Sequence, residues 1–423
     1  MLSTVEVQVD ADLTDNVSGV IRLVNQRVWG DQLYTDANGV LANTGELGFT
    51  GVPIGDTVTN RAIAPGGDAY SIIVDLAYIE LKEFLYSPLT LRIGRQDLWF
   101  GKGFIIGNSL QDPTMAVWPQ EYTAITSFDA IRATLDYDPW TIDAVYAKIS
   151  ENARRSDDDT NLYGINVGYV FDAYNAEIEG YWWYNQDRNP DTAATAVSVT
   201  TTNGNTGNDI HTLGGRGSFD PIEDWTIAIE SAYQTGDFLG IANQRSGRER
   251  SAWAIDAMIE CRYWQDDFAW RPVAAVEYIY YSGDENMGDR SVNSSGSYGG
   301  WDVMYRGKFD TAIREFQNVF YRTAQASSPS FTNQHQILVS GTVEPTDSLT
   351  FRAQYGHFWL AENWSAGNTN TNVGDEVDLQ LTWDYTEDVS FGLLAAWFFP
   401  GDHFRGGMDD AATDLVGTVK LSF

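Results

Sequence analysis

Hydrophobic and polar residues alternate along most of this chain. In Leu349–Trp359 the apolar groups fall mostly on odd positions, and Val377–Tyr385 repeats the pattern without a break. Trp225–Tyr233 and Trp253–Tyr263 behave the same way. A period of two specifies strands with two unlike faces. Between the runs lie tight connections rich in Asp, Asn and Pro, among them Asp12–Asn16, Tyr86–Pro88, Asp138–Trp140, Asp220–Asp224 and Thr386–Asp388. These residue types supply turn geometry. Every second connection is longer and richer in Gly, Asn, Ser and Thr, so one rim is trimmed and the other elaborated. The longest loops, 30–68, 98–126, 187–208 and 282–329, are expected on the elaborated side or folded inward.

The pattern predicts about 17 strands, mostly about 9–14 residues long, against about 5–6 for a soluble strand. A tilted strand needs about 9–11 residues to cross a bilayer. Aromatic residues cluster at the predicted strand ends: Trp140, Trp225 and Trp383–Tyr385 beside tight turns, and Trp182–Tyr184, Tyr280–Tyr281 and Trp397 beside long loops. Such girdles mark outer-membrane barrels, and the alternating end Val419–Phe423 fits the same class. No blade-sized or solenoid repeat competes with that reading. The predicted fold is therefore all-β: one transmembrane antiparallel up-and-down barrel spanning 1–423. Closure needs an even count, so 18 strands are expected, with the first lying upstream of Met1 or, alternatively, hidden inside Ser282–Pro329.

Composition narrows the function. Lys and Arg number 26 against 59 Asp and Glu, a net charge of −33, which excludes a nucleic-acid binder. An aromatic content of 13% excludes a disordered chain. The single Cys261 cannot form an internal disulfide, and His211, His335, His357 and His403 are scattered, so no structural zinc is expected. No apolar run reaches about 18 residues, so no transmembrane helix is present. The start, Met1–Glu6, is not a signal peptide and suits a cytoplasmic, mature or truncated exported chain alike. No cofactor is expected. Asp157–Asp159, Asp284–Glu285 and Asp409–Asp410 could attract Ca²⁺, but the first lacks the spacing of a calcium loop and reads as solvated charge. No GxSxG occurs, and Glu177, Glu179 and Glu230 are explained by strand alternation better than by a glycosidase pair, so catalysis is not expected.

Several short motifs, taken in order, are familiar: Gly94-Arg95-Gln96, Phe128–Arg132, Asp375–Asp378 and Phe398–Asp402. Together they resemble the alginate-export-type family of outer-membrane porins, from Val5 to Phe423. The resemblance implies a monomeric barrel of about 18 strands in the bacterial outer membrane, with long loops able to plug or gate it. In the alginate exporter itself the channel is lined with Arg and Lys to suit a polyanion.

The present chain departs from that pattern. Lipid does not solvate charge, so the charged member of each alternation faces inward; an Arg on the lipid face at mid-bilayer costs about 2–4 kcal/mol. The expected inward bases are Arg22, Arg92, Arg132, Arg216, Arg262, Arg271, Arg352 and Lys420. The expected inward acids include Asp75, Asp136, Asp143, Glu177, Glu179, Glu230, Asp256, Glu260, Glu277, Asp378 and Asp384. Acids outnumber bases, and rings of Asp and Glu favour cations. Inward Arg and Glu also pair to build the wall, so structural and selectivity roles both stand. The expected function is diffusion of small hydrophilic solutes, cations or neutral oligosaccharides. An exopolysaccharide export channel and a structural barrel with an envelope partner are the alternatives. Expected partners are outer-membrane lipid and solutes, with a further envelope protein or a homo-oligomer open.

Overall fold

The computed structural model describes residues 2–28, 33–35, 41–43, 72–108, 127–151, 159–187, 208–238, 248–262, 268–285, 297–317, 331–363, 369–404 and 410–423. Seventeen long strands follow one another in chain order. They are β1 (Leu2–Thr14), β2 (Val17–Val28), β3 (Ile73–Leu81), β4 (Leu89–Gln96), β5 (Phe128–Tyr137) and β6 (Trp140–Ser150). Next come β7 (Thr160–Val170), β8 (Glu177–Asp187), β9 (Asn208–Ile222), β10 (Trp225–Phe238), β11 (Arg248–Cys261) and β12 (Val273–Tyr281). The last are β13 (Gln334–Thr346), β14 (Leu349–Leu360), β15 (Asn372–Asp384), β16 (Val389–Pro400) and β17 (Ala412–Leu421). Each pairs antiparallel with its sequence neighbours in one sheet, whose eighteenth member is the two-residue Ser297–Tyr298, parallel to β11.

An antiparallel series of seventeen puts β1 and β17 at the ends of the order, running the same way. Direct antiparallel pairing of those two is excluded by that geometry, and no pairing joins them among the described residues. The connection 282–329 contributes no spanning strand among its described residues; it contributes Ser297–Tyr298 and a short π-helix, Ala312–Gln317. Loops 30–68 and 187–208 lie outside the described residues, apart from strand ends and the small pairing of Leu33–Thr35 with Leu41–Asn43. Met115, Trp118, Asp157, Asp158 and Asp409 also fall outside them.

The register separates the two faces. On one side stand exposed apolar groups such as Val5, Val7 and Val9 of β1, Ile229 of β10, Trp253 and Ile259 of β11, and Leu393 of β16. Their neighbours on the other face are mostly polar or buried, among them Glu6 and Asp10 of β1, Glu230 of β10, Ala254 of β11 and Leu394 of β16. Two aromatics of the predicted girdles belong to the interior instead: Trp183 packs on Phe100 at 4.8 Å and Tyr281 stacks on Phe104 at 5.9 Å. A period of two forces this, because Trp182 and Tyr280 already take the outward positions. On the outer face near the long-loop rim, Trp182 and Tyr184 stack with His211, and Tyr280, His335, Trp359 and His357 form a ladder across β12–β14.

The core lies inside the sheet. Leu98, Phe100, Phe104, Ile105 and Ile106, from the connection after β4, are buried against inner-face residues including Phe128, Leu162, Trp183 and Ile279. A second segment, Trp301–Glu315, lies beside the first. Ile106 and Tyr305 form a parallel bridge, and Gly307 donates its N–H to the Gly103 carbonyl at 3.0 Å. The two backbones meet through glycine: a Cβ on Gly307 would stand 1.3 Å from the Gly107 carbonyl oxygen.

Candidate functional site: the inner face of the barrel

All twelve residues singled out as channel-facing (Arg22, Arg92, Arg132, Arg216, Arg262, Arg352, Glu177, Glu179, Asp256, Glu260, Glu277 and Asp378) share the inner face in the observed register. The structure joins most of them in pairs. Arg22 reaches Asp75 at 2.6 Å and Asp97 at 3.1 Å. Arg92 bonds Glu80, and Arg132 bonds Asp143 at 2.7 Å. Arg216 is held by Glu179 at 2.6 Å and by Glu177, and Arg262 by Glu260 at 2.7 Å. Arg352 donates to Gln354 at 2.7 Å. Arg271 differs from expectation. It sits in the turn before β12, on Glu344 and Asp347, because its backbone adopts a positive φ there rather than continuing a strand.

The two inner segments add the groups that strand periodicity does not reveal. Lys308 meets Asp256 of β11 at 2.7 Å, Glu277 of β12, and its own neighbour Asp310 at 3.3 Å. Burial opposes the Lys308 charge, but those three carboxylates outweigh it and hold its pKa well above the ordinary lysine value. Arg306 is enclosed by the rings of Phe104, Tyr281 and Phe331 at 4.9–5.7 Å and bonds Asp310 at 2.9 Å. The start of the π-helix is fastened to wall carboxylates: Ile313 and Arg314 donate their N–H groups to Glu376 at 2.6 and 2.8 Å. Tyr305 reaches Asn185 of β8, Asp302 exchanges bonds with Gln234 of β10, and Gln354 of β14 donates to the Asp310 carbonyl. The segment is thus anchored on strands from β8 to β15.

Lys102, on the first inner segment, approaches the same region and lies 3.5 Å from the Met258 sulfur. Beside it is a small cleft, with room for about one water, lined by Lys102, Arg216, Glu230 and Asp256. A second cleft of similar size adjoins it, walled by Phe100, Tyr181, Trp183, Arg216 and Glu230. Glu230 accepts from the Tyr181 hydroxyl at 2.8 Å through one oxygen, while its buried Oε2 has no hydrogen-bond partner. Toward the tight-turn rim, Asp10, Asp136 and Asp384 are exposed inner-face carboxylates, none ion-paired among the described residues. No group of three or more His, Cys, Asp or Glu suited to a metal ion occurs among the described residues.

This geometry has known counterparts. A family model described as Alginate export matches residues 7–418. The chain belongs to the alginate-export family. Among solved structures, the outer-membrane protein OpdK of Pseudomonas aeruginosa is similar with 10% identity and a TM-score of 0.54, over 99% of this chain and 92% of that one. OccK2 (OpdF) of the same organism gives 11% identity and 0.53 over 99% and 91%. OpdK with vanillate gives 10% identity and 0.52, over 99% of this chain and 92% of that one. At such identities the likeness is one of fold. No curated protein matches the chain. This member of the alginate-export family is an outer-membrane β-barrel of porin architecture, with a channel as its function.

Proposed function

We propose that this channel passes small cations and uncharged hydrophilic solutes and disfavours polyanions. The observation that carries the reading is the pairing of the inner-face bases. Arg22, Arg92, Arg132, Arg216, Arg262 and Lys308 are each engaged by at least one carboxylate; Arg352 and Lys102 are exceptions among the described inner-face bases, whereas the acids Glu230, Asp10, Asp136 and Asp384 have no ion-pair partner among the described residues. Neutralised bases leave the field of the lumen to the remaining acids, and a water-filled cleft of one sign concentrates counter-ions. The twelve predicted channel-facing residues are then both wall structure and the source of selectivity.

The test is the reversal potential of the purified protein in a planar bilayer across a KCl gradient. A potential of the sign set by K⁺ is expected; one set by Cl⁻ refutes the reading. The family's name favours a second reading, export of an exopolysaccharide. The acidic inner face makes that polymer a neutral one, so neutral oligosaccharides should interrupt the ion current while alginate oligomers leave it unchanged. A barrel that conducts no ions under any condition would instead be a structural member of the envelope.

A further inference from the structure

We propose that Asp256, Glu277 and Glu230 form a binding site for the primary ammonium group of a small permeating solute, and that Lys308 occupies this site as a tethered stand-in. The inference deepens the cation-preferring reading and rests on it. Asp256 and Glu277 belong to the wall strands β11 and β12, next to each other on the inner face, and Glu230 of β10 is the cross-strand partner of Asp256. These carboxylates stay in place whatever the inner segments do. Lys308 and its helper Asp310 belong to Trp301–Glu315 and leave together with it.

Two observations point to a ligand beyond the acids themselves. The first is the occupant. An ammonium group already sits there, with Asp256 at 2.7 Å and Glu277 in contact, which demonstrates that the wall coordinates an N–H₃⁺ donor set. The second is the unused acceptor. Glu230 is 5% exposed, its Oε2 is without a hydrogen-bond partner, and the residue lines the same cleft as Asp256 and Lys102. A buried carboxylate oxygen left unpaired is costly, and a donor arriving from the channel removes that cost. With Trp301–Glu315 displaced, Asp256 and Glu277 lose the ammonium that contacts them; Lys102 stays nearby on the Met258 sulfur, and of the nearby wall arginines Arg216 is already committed to Glu177 and Glu179 and Arg352 to Gln354. A solute carrying –NH₃⁺ replaces Lys308 group for group.

The experiment uses the full chain in detergent and in planar bilayers, with methylammonium as the probe and tetramethylammonium, which has no N–H, as the control. In the wild type, amide hydrogen exchange at residues 312–314 should quicken as methylammonium chloride is raised, and stay unchanged in tetramethylammonium chloride at equal ionic strength. In Lys308→Gln, methylammonium permeability relative to tetramethylammonium should rise by roughly tenfold, the effect of one hydrogen bond to a charged group. Equal exchange in the two salts overturns the proposal, and it does so even where Lys308→Gln fails to assemble. Unchanged relative permeability in an assembled Lys308→Gln channel overturns it as well. A wild-type reversal potential set by chloride refutes the underlying channel reading instead, whatever the variant does.

Discussion

Substituting Gly164 with alanine tests how tightly the interior is packed against the wall. Gly164 of β7 and Trp183 of β8 are cross-strand partners with their inner sides on the same face. The indole ring lies flat across the glycine: a Cβ at position 164 would sit 1.9 Å from Trp183 Cε3 and Cζ3. Carbon atoms rest at about 3.5 Å or more, so the ring must retreat by about 1.6 Å (3.5 less 1.9). It cannot do so freely, because Phe100 packs on its inner side with ring centroids 4.8 Å apart. Overpacking of this kind costs about 1–3 kcal/mol. Trp183→Ala, which removes a fully buried indole, costs about 3–5 kcal/mol. The two penalties share one contact and are therefore not additive. Measured by urea unfolding in detergent, Gly164→Ala should be destabilising in the wild type and close to neutral in the Trp183→Ala background. The same Gly164→Ala variant should change single-channel conductance, since the displaced ring pushes Phe100 further inward. Equal Gly164→Ala penalties in both backgrounds would refute the packing described for this wall.

Further expectations concern charge and orientation. Asp75→Asn leaves Arg22 buried without its nearest carboxylate and should cost about 3–5 kcal/mol, while the double variant Arg22→Met/Asp75→Leu should recover most of that loss in the same unfolding assay. Burial, followed by the neighbouring Asp310 charge, pushes the Glu315 carboxyl up to about 7. A raised carboxylate stabilises docking of its segment below its unfolded value and loses that contribution as pH climbs through the folded one. Hydrogen exchange at 312–314 should therefore quicken between about pH 4.5 and 7, beyond the intrinsic base-catalysed rise, and keep only that intrinsic rise at higher pH, and Glu315→Gln should abolish the excess. Brominated lipid should quench Trp253, which stands on the outer face, and spare Trp183. Trp253→Phe then lowers the quenchable fraction of fluorescence and Trp183→Phe does not; the opposite outcome would invert the assignment of faces.

The wall was legible in the sequence because a sheet with lipid on one side and polar or packed groups on the other must alternate, and Leu349–Trp359 or Val377–Tyr385 do so plainly. The same rule identified Arg216 and Glu179 as inner-face residues that now prove to be bonded to each other. It failed where a side chain's neighbour mattered more than its own type. Trp183 and Tyr281 look like girdle residues until the pleat assigns them inward. Lys308, Arg306 and Lys102 sit in stretches with no period, so nothing local marked them. The available signal was compositional: Ser282–Pro329 holds nearly as many bases as acids in a strongly acidic chain, and its Arg306 and Lys308 are flanked by Trp301, Tyr305 and Phe309. A cation amid rings in an acidic chain finds its counter-charge elsewhere, here on β11 and β12.

The anchoring of Trp301–Glu315 from β8 to β15 has a mechanical consequence. Its bonds to Asn185, Gln234, Asp256, Glu277, Gln354 and Glu376 span staves that are far apart around the circumference. Any flattening of the cylinder into an oval would change the distance between those staves and tear at the fastenings. The segment acts as an internal tie rod that keeps the cross-section round. It can be fitted only after the staves have curved into place, which makes its insertion a late event in assembly.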